Sequence, residues 1–181
     1  MHPRSRKPAA AVATTCLIIA MGGCTSEGTK AVPELPDRIC WDMFSSEDVK
    51  PLLQGGSKAV TYSSRFSRLM EHGSISCSLD IDGVPGFFLT AYKRDSAQEI
   101  DWSSRESARP ASVGEKGIIW HGGGSSYFVC TPSGSAVDSR TYIDLTLTTL
   151  SAPENAKPRD LLLKLLRQYV DAVRAKLDCP A

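Results

Sequence analysis

The chain has 181 residues, 21 Lys and Arg against 20 Asp and Glu, and six cysteines. Nucleic acid and anionic membrane surfaces call for a clustered basic excess, so a balance this even excludes both as the expected main partner. The length allows one domain with a substantial core once an N-terminal leader is set aside.

That leader is the first feature met along the chain. Arg4, Arg6 and Lys7 form a basic head, and Ala9 to Met21 is an apolar run broken only by Thr14 and Thr15. It closes on Gly22-Gly23-Cys24. A basic head, a short apolar body and small residues before a cut site describe an export signal. The run falls short of the roughly 20 apolar residues that a membrane span needs. The segment resembles the lipobox of bacterial lipoproteins. That resemblance implies a signal at 1–23 and a cysteine, Cys24, that becomes the mature N-terminus carrying a diacylglyceryl group. Two acyl chains make a stable anchor where one binds only marginally. Cleavage to a free secreted protein is the competing outcome. Cys16 is the poorer lipid acceptor, because it lies inside the apolar body. Loss of the three basic residues leaves 18 Lys and Arg against 20 Asp and Glu, a formal charge of −2.

Assigning Cys24 to lipid leaves Cys40, Cys77, Cys130 and Cys179. Four cysteines in an exported domain read as two disulfides. A metal site is not expected, since the spacings are long and there is no C-x-x-C pair. Four cysteines permit three connectivities. The preferred one is Cys40–Cys77 with Cys130–Cys179, because each bridge then ties a helix to a nearby strand. Loops of that size stabilise by about 3–4 kcal/mol each.

Residues 24–36 hold two prolines and no apolar period, and read as the lipidated terminus followed by a flexible tether. A single globular domain is expected over 37–181. Ser45 or Ser46 caps a short helix with Glu47 and Asp48 in its first turn, Val49, Leu52 and Leu53 on its apolar side, and Gly55-Gly56 as its stop. Ile75, Cys77, Leu79 and Ile81 alternate with polar residues, which predicts a half-buried strand. Asp82-Gly83 opens a turn with Pro85-Gly86, and Phe87 to Tyr92 returns. Residues 94–116 are polar and read as a long loop with at most a helical turn, Trp102 being its large aromatic. A short strand is allowed at Gly117 to Trp120. A second hairpin pairs 127–130 with 141–150 across a connection at 131–140. The last segment is an amphipathic helix. Pro158 suits its start, and Leu162, Leu166, Tyr169, Val173 and Leu177 form its apolar stripe.

These elements predict an α+β fold: an antiparallel sheet of about four to five strands in two hairpins, packed by the C-terminal helix and a short N-terminal one. A weak likeness between the halves, each with a cysteine on the first strand of a hairpin, suggests two similar helix-on-sheet layers.

No residue set assembles into a reaction. His121-Gly122-Gly123-Gly124 is similar to the oxyanion loop of lipases, yet the Gly-x-Ser-x-Gly elbow is missing and the glycines read as a flexible hairpin loop. His72 and His121 are the histidines left after the signal, and catalysis would need Ser125 or Ser126 beside one of them. Asp80, Asp82 and Asp95 lack a calcium-loop pattern. There is no phosphate loop or dinucleotide fingerprint, so no cofactor is expected. Trp41 and Trp120 are expected over core and disulfide. Trp102 is the candidate ligand contact.

The order of lipobox, Pro-containing tether, Leu35-Pro36-Asp37-Arg38-Ile39-Cys40-Trp41, short helix and Cys77 on a strand resembles small surface lipoproteins of actinobacteria. The resemblance implies an exported lipoprotein with a disulfide-bonded α+β domain, and it brings no catalytic residues. The expectation is a non-enzymatic module, held on the extracytoplasmic face of the cell membrane through Cys24, that binds an envelope protein or a small ligand. A small envelope hydrolase using His72 or His121, and a purely structural envelope component, are the alternatives.

Overall fold

The computed structural model describes residues 30–103, 107–131, 140–150 and 158–180. The signal, Cys24 and the first part of the tether lie outside the described residues, as does most of the 131–140 connection. The fold is α+β, built on a seven-stranded antiparallel sheet. In chain order the elements are β1 (Arg38–Ile39), β2 (Phe44–Ser45), α1 (Ser46–Val49), β3 (Ala59–Ser63), α2 (Arg68–His72), β4 (Ser74–Ile81) and β5 (Val84–Arg94). Then follow β6 (Arg109–Ala111), β7 (Lys116–Trp120), β8 (Gly123–Cys130), β9 (Thr141–Thr149) and α3 (Pro158–Lys176). The sheet runs β3-β4-β5-β9-β8-β7-β6, and β1 and β2 pair separately.

Both expected hairpin pairs are present, but the sheet has more strands than the four to five expected. β3 was not expected because its core-side positions, Ala59, Thr61 and Ser63, are small or polar and give no apolar alternation. β6 falls in the stretch read as loop. Its Pro110 lacks an N–H and is tolerated because β6 is an edge strand. The two half-sheets join through β5 and β9 into one layer, in place of two similar layers.

Ser45 caps α1 as expected: its Oγ accepts from the Asp48 N–H at 3.3 Å. The helix is stopped before Gly55-Gly56. Pro51 enters a 3-10 turn at Lys50–Leu52, and Leu53 is already extended. Asp82 and Gly83, both at positive φ, alone make the β4–β5 turn, and Pro85 already lies within β5. The β1–β2 turn is built from Cys40, Trp41 and Asp42, all in the left-handed region at φ 49°, 60° and 61°.

One sheet face is buried. β4, β5 and β9 contribute Ile75, Leu79, Phe87, Leu89, Ile143, Leu145 and Leu147. α3 lays Leu162, Leu165, Leu166, Tyr169, Val170 and Val173 over β7, β8 and β9. The other half of this face is covered by the N-terminal segment through Ile39, Phe44, Val49, Leu52 and Leu69. Phe44 joins the halves, with its ring edge-on to Phe87 at 5.5 Å and 6.0 Å from Tyr169. The disulfides are the preferred pairs: Cys40–Cys77 fastens the β1–β2 turn to β4, and Cys130–Cys179 fastens the end of α3 to β8.

The packed body begins earlier than residue 37. Gly56 N–H donates to Ala31 O at 3.0 Å, and Val32 and Leu35 pack on the core. Gly55 permits this approach, since a Cβ there would lie 1.6 Å from Lys30 O.

Candidate functional site

None of the helices α1, α2 and α3 is packed on the opposite face of the sheet, which a 3-10 turn at Ala97–Glu99 borders, and strand register arranges its side chains in rows across the strands. Tyr62, Ser78, Phe88 and Thr148 are cross-strand neighbours on β3, β4, β5 and β9. Two residues further along come Ser76, Thr90, Thr146 and Ser125, on β4, β5, β9 and β8. Two further still stand Ser74, Tyr92, Asp144 and Tyr127. A strand alternates its side chains between faces, so every second residue falls in the same row pattern. Across β4, β5, β9 and β8 the middle row is all hydroxyl, with Ile118 following on β7, and the rows on either side carry rings. The result is a hydroxyl-floored trough between aromatic rails.

Three rail rings are open to solvent, with Tyr62 59%, Phe88 36% and Tyr92 37% exposed. A sheet face resting on core would not leave such rings in water. Over β5, β8 and β9 the trough deepens into a cleft of about 430 Å³, within the range of small-molecule sites. Glu99 and Asp101, from the segment after β5, form part of its wall.

The end of the cleft holds a partly buried ion pair. Arg94 Nη2 lies 3.4 Å from Asp144 Oδ2, and the guanidinium sits 4.5 Å from the Tyr92 ring centroid. Asp144 is buried between its cross-strand neighbours Tyr92 and Tyr127. On the floor, the Ser125 and Thr146 hydroxyls share a hydrogen bond of 2.5 Å.

Trp102 is half-buried. Its ring is tilted against Tyr127 at 6.0 Å, and Lys116 Nζ stands 4.4 Å from its centroid. It thus braces the Tyr127 end of the rail, while its neighbour Asp101 lines the cleft. Trp41 packs edge-on to Phe66 and donates from Nε1 to Ser64 O at 2.7 Å, beside the Cys40–Cys77 bridge.

The structure does not bring the residues weighed for hydrolysis together. β4 begins two residues after His72 at the level of Tyr92, whereas β8 begins two residues after His121 at the level of Phe88. Those levels differ by four residues, roughly 13 Å, and the strands by three spacings, roughly 14 Å. Ser126 points into the core, where its Oγ donates to Val113 O at 2.8 Å. Gly123 and Gly124 belong to strand β8, not to a loop, leaving His121-Gly122 as the turn. A Cβ on Gly123 would sit 2.3 Å from Leu147 O, and one on Gly124 2.5 Å from Ile119 Cδ1. The glycines permit close strand and ring packing.

The three aspartates do not converge either. Asp82 accepts from the Ser57 and Lys58 backbone N–H groups, and Asp80 accepts from the Ser78 hydroxyl. Asp95 follows the far end of β5. Among the described residues no group of three or more His, Cys, Asp or Glu could hold a metal ion, and no helix is long and apolar enough to cross a membrane.

Sequence reasoning missed the trough. Its signal was the Ser/Thr/Tyr content of alternate strand positions, which acquires meaning only when register sets those positions side by side. Protein-family models, curated proteins and solved structures were each compared with the chain, and none matches.

Proposed function

We propose that this chain is a lipid-anchored module on the extracytoplasmic face of the cell membrane, and that it acts by binding a partner on the open face of its sheet. The observation that carries this reading is the trough: exposed Tyr62, Phe88 and Tyr92 flank a row of hydroxyls on a face that no α-helix covers among the described residues. Two disulfides suit an oxidising compartment, and the Gly22-Gly23-Cys24 sequence supplies the anchor.

The test is isolation of the full chain from membranes, followed by mass spectrometry of its N-terminal peptide and of co-isolated molecules. The reading expects a mature chain beginning at a diacylglyceryl-modified Cys24, with co-isolated material depleted in the Phe88→Ala/Tyr92→Ala variant. An unmodified Cys24, or co-isolation indifferent to that variant, contradicts it.

A further inference from the structure

The binding-module reading leaves the occupant unnamed, and the chemistry of the trough narrows it. We infer that the trough takes a neutral glycan chain lying across the strands; this rests on the reading above. Hydroxyls both donate and accept, and the floor row of Ser76, Thr90, Thr146 and Ser125 carries no charge. The rails offer flat rings with apolar faces, which combine large contact area with little conformational freedom to lose. A sugar ring has the matching surfaces, a C–H face to lie on an aromatic ring and an equatorial fringe of hydroxyls to exchange hydrogen bonds.

Other occupants fit less well. A lipid surface needs a continuous apolar patch, whereas here the rings are separated by hydroxyls. A polyanion needs excess cation, yet Arg94 already faces Asp144 at 3.4 Å and its cleft also holds Glu99 and Asp101. The geometry further calls for an oligomer. Phe88 and Tyr92 stand four residues apart, roughly 13 Å, and Tyr62 and Phe88 lie two strand spacings apart, roughly 10 Å. One sugar ring does not span Tyr62 and Phe88 on their rail, while a chain of several lying along the trough meets both. The Arg94–Asp144 pair then closes one side with a donor fork and an acceptor.

The experiment titrates the full chain, purified in a non-glycosidic detergent, with neutral hexasaccharides of glucose, mannose, galactose and arabinose in separate calorimetric runs. At least one is expected to bind saturably. Phe88→Ala and Tyr92→Ala should each weaken binding about tenfold, equivalent to about 1.4 kcal/mol. Thr90→Val keeps the β-branched shape but removes a floor hydroxyl, and should weaken it about fivefold. Arg167→Ala, on the exposed side of α3, should leave it unchanged. Thermal melting of each variant confirms folding. Absence of saturable binding to all four sugars, or binding indifferent to the rail and floor variants, overturns the glycan assignment. A benzophenone side chain placed at Tyr92 separates the two levels of failure. An adduct with a non-glycan envelope component overturns the glycan alone, and no adduct together with no sugar binding overturns the module as well.

Discussion

Removal of the Cys130–Cys179 bridge is the perturbation whose cost follows most directly from the fold. The bridge closes a loop of 49 residues that contains β9 and α3. Cross-linking such a loop removes about 14 cal/mol/K from the unfolded chain, or about 4.1 kcal/mol at 25 °C. Cys40–Cys77 closes 37 residues, for which the same relation gives about 3.8 kcal/mol. The two bridges should therefore weigh alike. The assay is urea unfolding of Cys130→Ala/Cys179→Ala beside wild type, followed by circular dichroism. A loss of about 4 kcal/mol corresponds to a fall in melting temperature of roughly 8–16 °C for a domain of this size. The slope with urea should rise, because an unfolded chain without the cross-link exposes more surface. A loss below about 1 kcal/mol, with thiol titration confirming that wild type is bridged, would contradict the loop-entropy origin of this cost. It would mean that the unfolded chain is restrained without the disulfide.

Other outcomes follow from single contacts. Tyr169 is buried among core side chains and its hydroxyl has no hydrogen-bond partner among the described residues. Burial first, and the Asp144 charge second, push its pKa up. Because the hydroxyl is buried without such a partner, Tyr169→Phe should leave stability unchanged or raise it by about 1 kcal/mol in urea unfolding. Asp48 accepts from Lys164 Nζ at 2.6 Å and from the Ser45 hydroxyl, which lower its pKa below the ordinary 3.8. Its contribution is thus complete above the unfolded value and is lost as pH falls through the folded one. Melting temperature in Asp48→Asn should accordingly fall less steeply below pH 4 than in wild type. Gly124→Ala places a Cβ 3.1 Å from Leu166 Cδ2 and against Ile119 Cδ1, and should cost about 1–3 kcal/mol in the same urea assay by lifting α3 from β8.

The parts of the fold legible in the sequence are those with a strong period. β4 alternates Ile75, Cys77, Leu79 and Ile81 against polar residues, and α3 repeats its apolar stripe at helical spacing; both lie where that pattern puts them. The β1–β2 turn was not legible, because Cys40, Trp41 and Asp42 adopt left-handed backbone without a glycine, held by the disulfide and by the Trp41 bond to Ser64. Tertiary packing decides that turn. His121-Gly122-Gly123-Gly124 misled for a related reason: glycine marks loops and close approaches alike, and only the neighbours Trp120, Ile119 and Leu147 distinguish them. The trough was hidden because each of its hydroxyls, taken alone, is the ordinary wet side of a strand. Alignment of four strands turns those separate positions into one surface.

Photo-cross-linking on intact cells shows whether the open sheet face is the working surface. A benzophenone side chain would be placed in turn at Tyr62, at Tyr92 and at Arg167, all exposed, the first two on the rails and the third on α3. A working trough gives adducts with an envelope component from Tyr62 and Tyr92 and none from Arg167. Adducts from Arg167 alone, or equal yields from all three positions, would contradict it.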